Sequence, residues 1–309
     1  MHDLLPLSWT RTACIRPVYR DIPLPLSRIR WITCADIPHA FSLRTLYEDL
    51  VQAYPAGFVF RGCTPAMADY FLDRSCRILR TGSEAVLDLR KAAPVRKTVA
   101  GSLARGKRHG YVEEVFFNDE NLHRFEQFRH ETQHAAKPQL MHLFRQEPYP
   151  GCRLFVFRSF SGKWYAAITL SSRGERAMHT ELMLRHVDAP GDIMECLIFA
   201  VHAALKNEGY IEWSLGEVPF MMPSQPSGES RNSLEQFMVA TASFLRYAYD
   251  HEALYRFKNK FAPIWRPVML CTSRNPSVLM LTELAVSMGY TDLLAYQSLR
   301  QFGRWFLPA

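Results

Sequence analysis

The chain has 309 residues, 48% of them apolar, with 37 Lys and Arg against 30 Asp and Glu for a formal net charge of +7. That length and apolar content support one large core or two ordinary ones and exclude a chain too polar to fold. The basic excess points to an anionic partner: nucleic acid, acidic lipid headgroups or a phosphorylated ligand. Seven cysteines are scattered singly with no CxxC, so neither a disulfide framework nor a zinc knuckle is encoded and a reducing cytoplasm fits.

In chain order, the first 26 residues are punctuated by Pro6, Pro17, Pro23 and Pro25 and read as an arm. RIRWITCADI reads as a strand, residues 42–54 as a helix, and GFVFRGC as a second strand. Pro65 opens another helix ending near Arg74, and residues 77–89 are strand-rich with a turn expected at Thr81 and Gly82. A basic helix follows over 95–109, stopped by Gly110, then the strand YVEEVFF. Residues 121–136 read as a helix with Leu122, Phe125 and Phe128 on one face. The stretch 137–150 carries PYP and reads as a linker.

The second half opens on RLFVFRSF, a turn at Ser161 and Gly162, and WYAAITLSS, which together read as a hairpin. HTELMLRHV is a further strand, 193–207 an apolar helix closed by Gly209, and YIEWSLGEVPF a strand. After a low-order stretch over 223–232 come a helix to about residue 249, the segment YRFKNKFAPIWRP, the strand RPVMLCTS and a C-terminal helix. The order β-β-β-α-β-α occurs twice, which argues for a tandem α/β architecture. The expected units are 1–26, 27–136, a linker over 137–150, and 151–309.

No uninterrupted apolar run reaches the length of a membrane span, and MHDLLPLSWTRTACIRP lacks a signal-peptide core. The expected location is cytoplasmic, with any contact to the inner membrane made from its surface.

YRFKNKFAPIWRP is the most informative stretch. It places Arg256, Lys258 and Lys260 between Tyr255, Phe257 and Phe261, then breaks at Pro263 before Trp265. Strand alternation would give one basic face, and helical spacing would put Phe257 and Phe261 on one side. Either geometry holds cations beside an apolar anchor, an arrangement suited to a phosphate or a developing oxyanion.

Five runs occur in a set order: RILRTGSEAVLDL, VRKTVAGSLARGKRHG, LMLRHVDAPGDIMECLIFAV, EGYIEWSLGEVPF and LYRFKNKFAPIWRPVML. Together, over residues 58–271, they resemble the soluble catalytic domain of bacterial aminoacyl-phosphatidylglycerol synthases, the lysyltransferase-type domain of the multiple peptide resistance factor. The resemblance implies two tandem acetyltransferase-like (GNAT) domains. It also implies transfer of an amino acid from tRNA to a hydroxyl or amine, on a phosphatidylglycerol-type lipid or a small natural-product intermediate. Aminoacyl-tRNA is then a co-substrate and no further cofactor or metal is called for.

Within the resemblance, Glu195 stands where the family has the aspartate of its "MD" pair and is the candidate for orienting the amine or taking a proton. Lys258 and Lys260 match the lysines of "FK-KF" and are candidates for phosphate or oxyanion contact. Arg185 precedes the "DAP" turn, Glu217 follows "SLG", and Arg256 and Trp265 flank the lysines as substrate-binding candidates. Arg96, Lys97, Arg105, Lys107 and Arg108 on the basic helix would form a phosphate track for tRNA, with affinity falling as salt rises. The family's long hydrophobic flippase portion is absent from these 309 residues.

Three other readings compete. His130-Glu131-Thr132-Gln133-His134 is a literal HExxH, which on a helix would place two zinc ligands on one face with Glu131 as general base. An acyl-CoA-dependent transferase would share the fold, yet needs a glycine-rich turn opening a helix, whereas RGKRHG closes one. A non-catalytic RNA-binding or membrane-surface module would keep Lys258 and Lys260 and tolerate loss of Glu195.

Overall fold

The computed structural model describes residues 5–92, 97–222, 232–244, 246–247 and 249–306, with no side chains described at 97, 98, 244 and 301–306. Arg96 and most of the stretch read as low-order lie outside the described residues, as does the side chain of Lys97.

The elements run β1 (Thr10–Thr12), β2 (Val18–Leu24), β3 (Ile29–Pro38), α1 (Leu43–Ala53), β4 (Phe58–Cys63), α2 (Pro65–Leu72), β5 (Arg77–Asp88), α3 (Lys97–Gly106), β6 (Gly110–Val115) and α4 (Asp119–His130). There follow β7 (Arg153–Ser159), β8 (Trp164–Ser172), β9 (Ala177–Arg185), α5 (Ile193–Asn207), β10 (Glu212–Pro219), α6 (Ser233–Phe244), α7 (His251–Asn259), β11 (Ile264–Thr272), α8 (Val278–Ser287) and α9 (Tyr290–Phe306). Three strands, a helix, a strand and a helix thus recur, first from β1 to α2 and again from β7 to α6.

Local chemistry accounts for the helix starts. Ser42 accepts the backbone N–H of Thr45, Thr64 that of Met67 ahead of Pro65, Asn118 that of Asn121 and Asp250 that of Ala253, each satisfying an orphan donor of the first turn. In α5, Ile193, Leu197, Val201 and Leu205 recur every fourth residue and are buried, packing onto Phe155, Phe157 and Ile168 of the sheet.

Among the described residues all eleven strands join one sheet, in the order β1-β3-β4-β11-β5-β10-β9-β8-β7-β6, with β2 on β3. The two halves exchange strands at its centre. β5, from the first half, pairs antiparallel with β10; β11, from the second, pairs antiparallel with β4, and β5 and β11 pair with each other. The proline-punctuated first segment supplies β1 and β2 to this sheet and Leu5, Trp9 and Leu24 to its cores. The linker is tied in as well. Arg145 donates to the carbonyls of Cys34 and Ala35 and to Asp36, and its backbone N–H to Glu181.

The single C-terminal helix expected is two, α8 and α9, and further differences fall at β5 and α4. β5 runs unbroken through Thr81 and Gly82, where a turn was expected. Gly82 serves close approach instead, since a Cβ there would lie 2.4 Å from the Val218 carbonyl oxygen of β10. α4 ends at His130 rather than near residue 136, because Thr132 leaves the helix to bridge His186 beside β9.

Among the described residues no single helix is long and apolar enough to cross a membrane; α8 and α9 reach that length only as a pair bent by 71°.

Candidate functional site

Segment 251–259 is a helix, which decides how its cations distribute. Residues two apart on a helix point to different sides, so the single basic face of the strand alternative does not form. Arg256 and Lys260 share one side and Lys258 turns inward. Phe261 is buried against Phe257 (ring centroids 5.6 Å apart) and Phe199 (5.9 Å), and this anchor sets the position of Lys260 at the helix C-cap.

Lys260 Nζ donates to Glu195 Oε1 at 2.8 Å. The partners are unequal: the Glu195 side chain is 7% exposed and that of Lys260 49%. Glu195 sits in the first turn of α5, where the helix dipole favours a carboxylate. Asp192, at the N-cap, makes no capping bond and instead accepts Arg105 Nε at 2.6 Å and Nη2 at 3.3 Å. That guanidinium holds the Asp192 carboxyl below its ordinary range, with Lys260 adding to the effect. The bidentate pair fastens α3 to α5, and so does a close packing contact: a Cβ on Gly106 would lie 2.1 Å from Cys196 Sγ. Two carboxylates of α5, Asp192 at its cap and Glu195 in its first turn, therefore meet two cations brought by α3 and by the end of α7.

A second, interior cluster lies where β10 parts from β9. Their pairing stops at Ser214 and His179, and the register of β10 against β5 slips between Ser214 and Glu217. Gly216, at φ 85°, makes the bulge; a Cβ there would sit 3.5 Å from Lys258 Nζ. Lys258 Nζ donates to the Glu217 carbonyl at 3.1 Å. Burial pushes the Lys258 ammonium down to about 7, against the pull of Glu217 and Glu84. His179, hydrogen-bonded to Ser214 Oγ at 3.2 Å, is likewise driven down by burial and by the nearby Arg173, Lys258 and Arg61. The Glu217 carboxylate pairs with Arg61 and accepts Thr81 Oγ1 at 3.1 Å, while Glu84 pairs with Arg173.

The structure brings Glu195 and Lys260 together, with Arg105 one turn away through Asp192. Lys258 and Glu217 meet in the interior cluster. Trp265 stacks on Tyr255 (4.7 Å, 29°) and donates Nε1 to Asn259 at 3.4 Å. Arg256 is exposed and lies 3.6 Å from Glu252. Arg185 closes β9, donating Nη2 to the Ala189 carbonyl at 2.7 Å, and its buried Nε has no hydrogen-bond partner. Lys107 and Arg108 are exposed in the turn after α3.

Sequence reasoning did not single out Arg61, Glu84, Arg173, His179 or Asp192. Asp192, just ahead of an apolar helical pattern, carried a legible cap signal; the others converge from separate strands and have no shared spacing.

The zinc reading fails on helix geometry. His130 is the last residue of α4 and Glu131 its cap, so His134 is not one turn further along the same face. Glu131 Oε2 lies 3.3 Å from His186 Nε2 instead. Among the described residues no three His, Cys, Asp or Glu side chains cluster as a metal would require.

The family described as phosphatidylglycerol lysyltransferase, C-terminal, matches residues 42–272. A phosphatidylglycerol lysyltransferase of Bacillus subtilis is 26% identical over 246 residues, which is 75% of this chain. The match spans 28% of the length of that relative. Among solved structures, L-PGS from Bacillus licheniformis superposes with a TM-score of 0.67 at 22% identity, over 89% of this chain and 86% of that one. A C-terminal domain from Agrobacterium fabrum, assigned to a lysylphosphatidylglycerol synthetase, gives 0.63 at 19% identity over 90% and 84%. The mixed α/β fold class expected is the one found, and it is the fold of L-PGS.

Proposed function

Because the chain belongs to the phosphatidylglycerol lysyltransferase C-terminal family, we propose that it moves an aminoacyl group from tRNA to a hydroxyl of a phosphatidylglycerol-type lipid. The observation that carries this reading is the family match over residues 42–272, which takes in both members of the Glu195–Lys260 pair.

The donor ester is already activated, so the reaction needs positioning, a proton acceptor and charge stabilisation rather than a further cofactor. The acceptor oxygen adds to the ester carbonyl, a new C–O bond forms, the bond to the ribose oxygen breaks, and the acceptor proton ends on that ribose oxygen. Glu195 takes the proton and returns it; Lys260, half-exposed beside it, stabilises the oxyanion. Lys258 and Glu217 act from the interior, holding the bulge of β10. The Trp265–Tyr255 stack offers a flat face to the donor's terminal base, with Arg256 beside it and Arg185 fixing the loop into α5. Of the basic-helix cations, Arg105 is occupied by Asp192, which leaves Lys107 and Arg108 facing outward. A small-molecule amine or hydroxyl would use the same chemistry; the surface described below favours a lipid.

The test is consumption of radiolabelled aminoacyl-tRNA in the presence of phosphatidylglycerol vesicles, with the product separated by chromatography. Label should move from one aminoacyl-tRNA into a lipid. Lys260→Ala should lower that rate by about 10²–10³ with the fold intact. Wild-type-like turnover in the variant removes Lys260 from the mechanism, and absence of any aminoacyl-tRNA consumption by the wild type removes the reading itself.

A further inference from the structure

Two loops and the start of β6 meet at the end of the sheet that carries the N-terminus of α5, and each shows an apolar side chain to solvent. Phe160, in the β7–β8 turn, is 72% exposed; Val187, in the loop from β9 to α5, 53%; Tyr111, at the start of β6, 45%. Strand register places them at one end: Gly110 pairs with Ser159, Tyr111 with Arg158, and Ala166 with Arg185 just before Val187. Tyr111 and Phe160 are themselves in ring contact at 6.4 Å, and Lys163 Nζ reaches Asp188 at 3.5 Å, joining the Phe160 turn to the Val187 loop.

Exposed aromatic and branched side chains gathered from two loops and a strand end mark an interaction surface. Their surroundings are basic. Lys107 and Arg108, both exposed, directly precede β6. Arg124 lies over the Trp164 ring at 4.6 Å and donates to the Gly162 carbonyl of the Phe160 turn. Arg158 and Lys163 are matched by Glu113 and Asp188; Lys107, Arg108 and Arg124 are set against the exposed Glu131, whose carbonyl accepts the Val187 N–H, and leave a net positive charge. The patch also adjoins the candidate site, because Gly106, next to Lys107, packs on Cys196, next to Glu195.

We propose that Phe160, Val187 and Tyr111, ringed by Lys107, Arg108 and Arg124, form the face by which this chain docks on an anionic lipid bilayer. Apolar tips enter the headgroup boundary while the cations meet acidic headgroups, the combination that gives reversible surface attachment. Isolated tips suit a bilayer better than RNA, which calls for open stacking platforms: the Tyr111 and Phe160 rings face each other at a 41° tilt. The inference deepens the lipid-acceptor reading by naming the side from which lipid arrives. Its test is read without any transfer, so the two stand or fall separately.

The experiment is co-sedimentation of the 309-residue chain with vesicles of phosphatidylcholine alone or mixed with phosphatidylglycerol. The wild type should bind the mixed vesicles and not the neutral ones. The double variant Phe160→Ser, Val187→Ser should weaken that binding on the order of tenfold. The double variant Lys107→Ala, Arg108→Ala should weaken it about thirtyfold. All four side chains are exposed, and an unchanged melting temperature checks the fold. Failure of the wild type to bind anionic vesicles overturns the proposal, as does undiminished binding by the Ser variant. Loss of tRNA binding with unchanged vesicle binding in the Ser variant would reassign the patch to nucleic acid.

Discussion

Gly106→Ala probes the joint between the basic helix and the helix carrying Glu195. The added Cβ would lie 2.1 Å from Cys196 Sγ and 3.3 Å from the Asp192 carbonyl oxygen, against an ordinary separation of about 3.5–4 Å. α3 must then lift from α5 or the thiol must rotate within a site where Cys196 is only 6% exposed. Overpacking of this kind costs about 1–3 kcal/mol. Replacing a helical glycine by alanine returns about 0.8–1 kcal/mol of propensity. Because Gly106 is the last residue of α3, only part of that propensity is recovered, and the net loss is about 1–2 kcal/mol, or a fall of about 1.5–3 °C in melting temperature for a chain of this size. Cys196→Ala removes the clashing atom and leaves the nearest contact at 3.3 Å, to the Asp192 carbonyl oxygen, so the double variant should recover most of the loss. A double-mutant cycle by urea denaturation reads this as a coupling of about 1 kcal/mol or more. The reasoning is refuted if Gly106→Ala is as stable as the wild type, or if the two effects simply add.

Three further outcomes are expected. Lys258 has its folded pKa near 7 against 10.5 unfolded, so between those values the unfolded chain holds a proton that the folded one does not, and stability should rise with pH. Urea midpoints at about pH 7 and about pH 9 should show that rise in the wild type and lose it in Lys258→Met; equal slopes would mean that Lys258 is not the group responsible. Arg61→Ala leaves the Glu217 carboxylate, 5% exposed, without its ion-pair partner and should cost about 3 kcal/mol in denaturant unfolding. A loss below about 1 kcal/mol would show the carboxylate to be better solvated than its burial implies. Gly82→Ala drives a Cβ into the Val218 carbonyl at 2.4 Å and should destabilise by about 2 kcal/mol or more; a neutral result would mean that β5 and β10 can part at little cost.

The helices and most strands were legible because their signals are local. Ser42 and Thr64 cap the helices they precede, and the apolar periodicity of α5 marks its buried face. The resemblance, read over residues 58–271, falls inside the family match over 42–272. What escaped was set by contact at a distance. Gly82 looks like a turn in one dimension and is a close approach between strands in three. His130 and His134 have zinc-helix spacing, yet the bridge from Thr132 to His186 takes the chain out of the helix between them. The cations of YRFKNKF could not be sorted into Lys260 outside and Lys258 inside until helix was chosen over strand. Arg61, Glu84 and Arg173 reach the interior cluster from elements far apart in the chain, and no window of sequence contains them together.

The exchange of β5 and β11 also sets a timetable for biogenesis. β4 is complete at Cys63, but the strand that pairs with it begins at Ile264, about 200 residues later. At synthesis rates of about 5–20 residues per second, β4 waits about 10–40 s on the ribosome with an unpaired edge. For that interval the nascent first half presents a template for any passing strand, its own copies on neighbouring ribosomes included. Closure of so distant a pairing carries a large loop entropy, which predisposes the chain to slow folding and to chaperone dependence in proportion to its translation time.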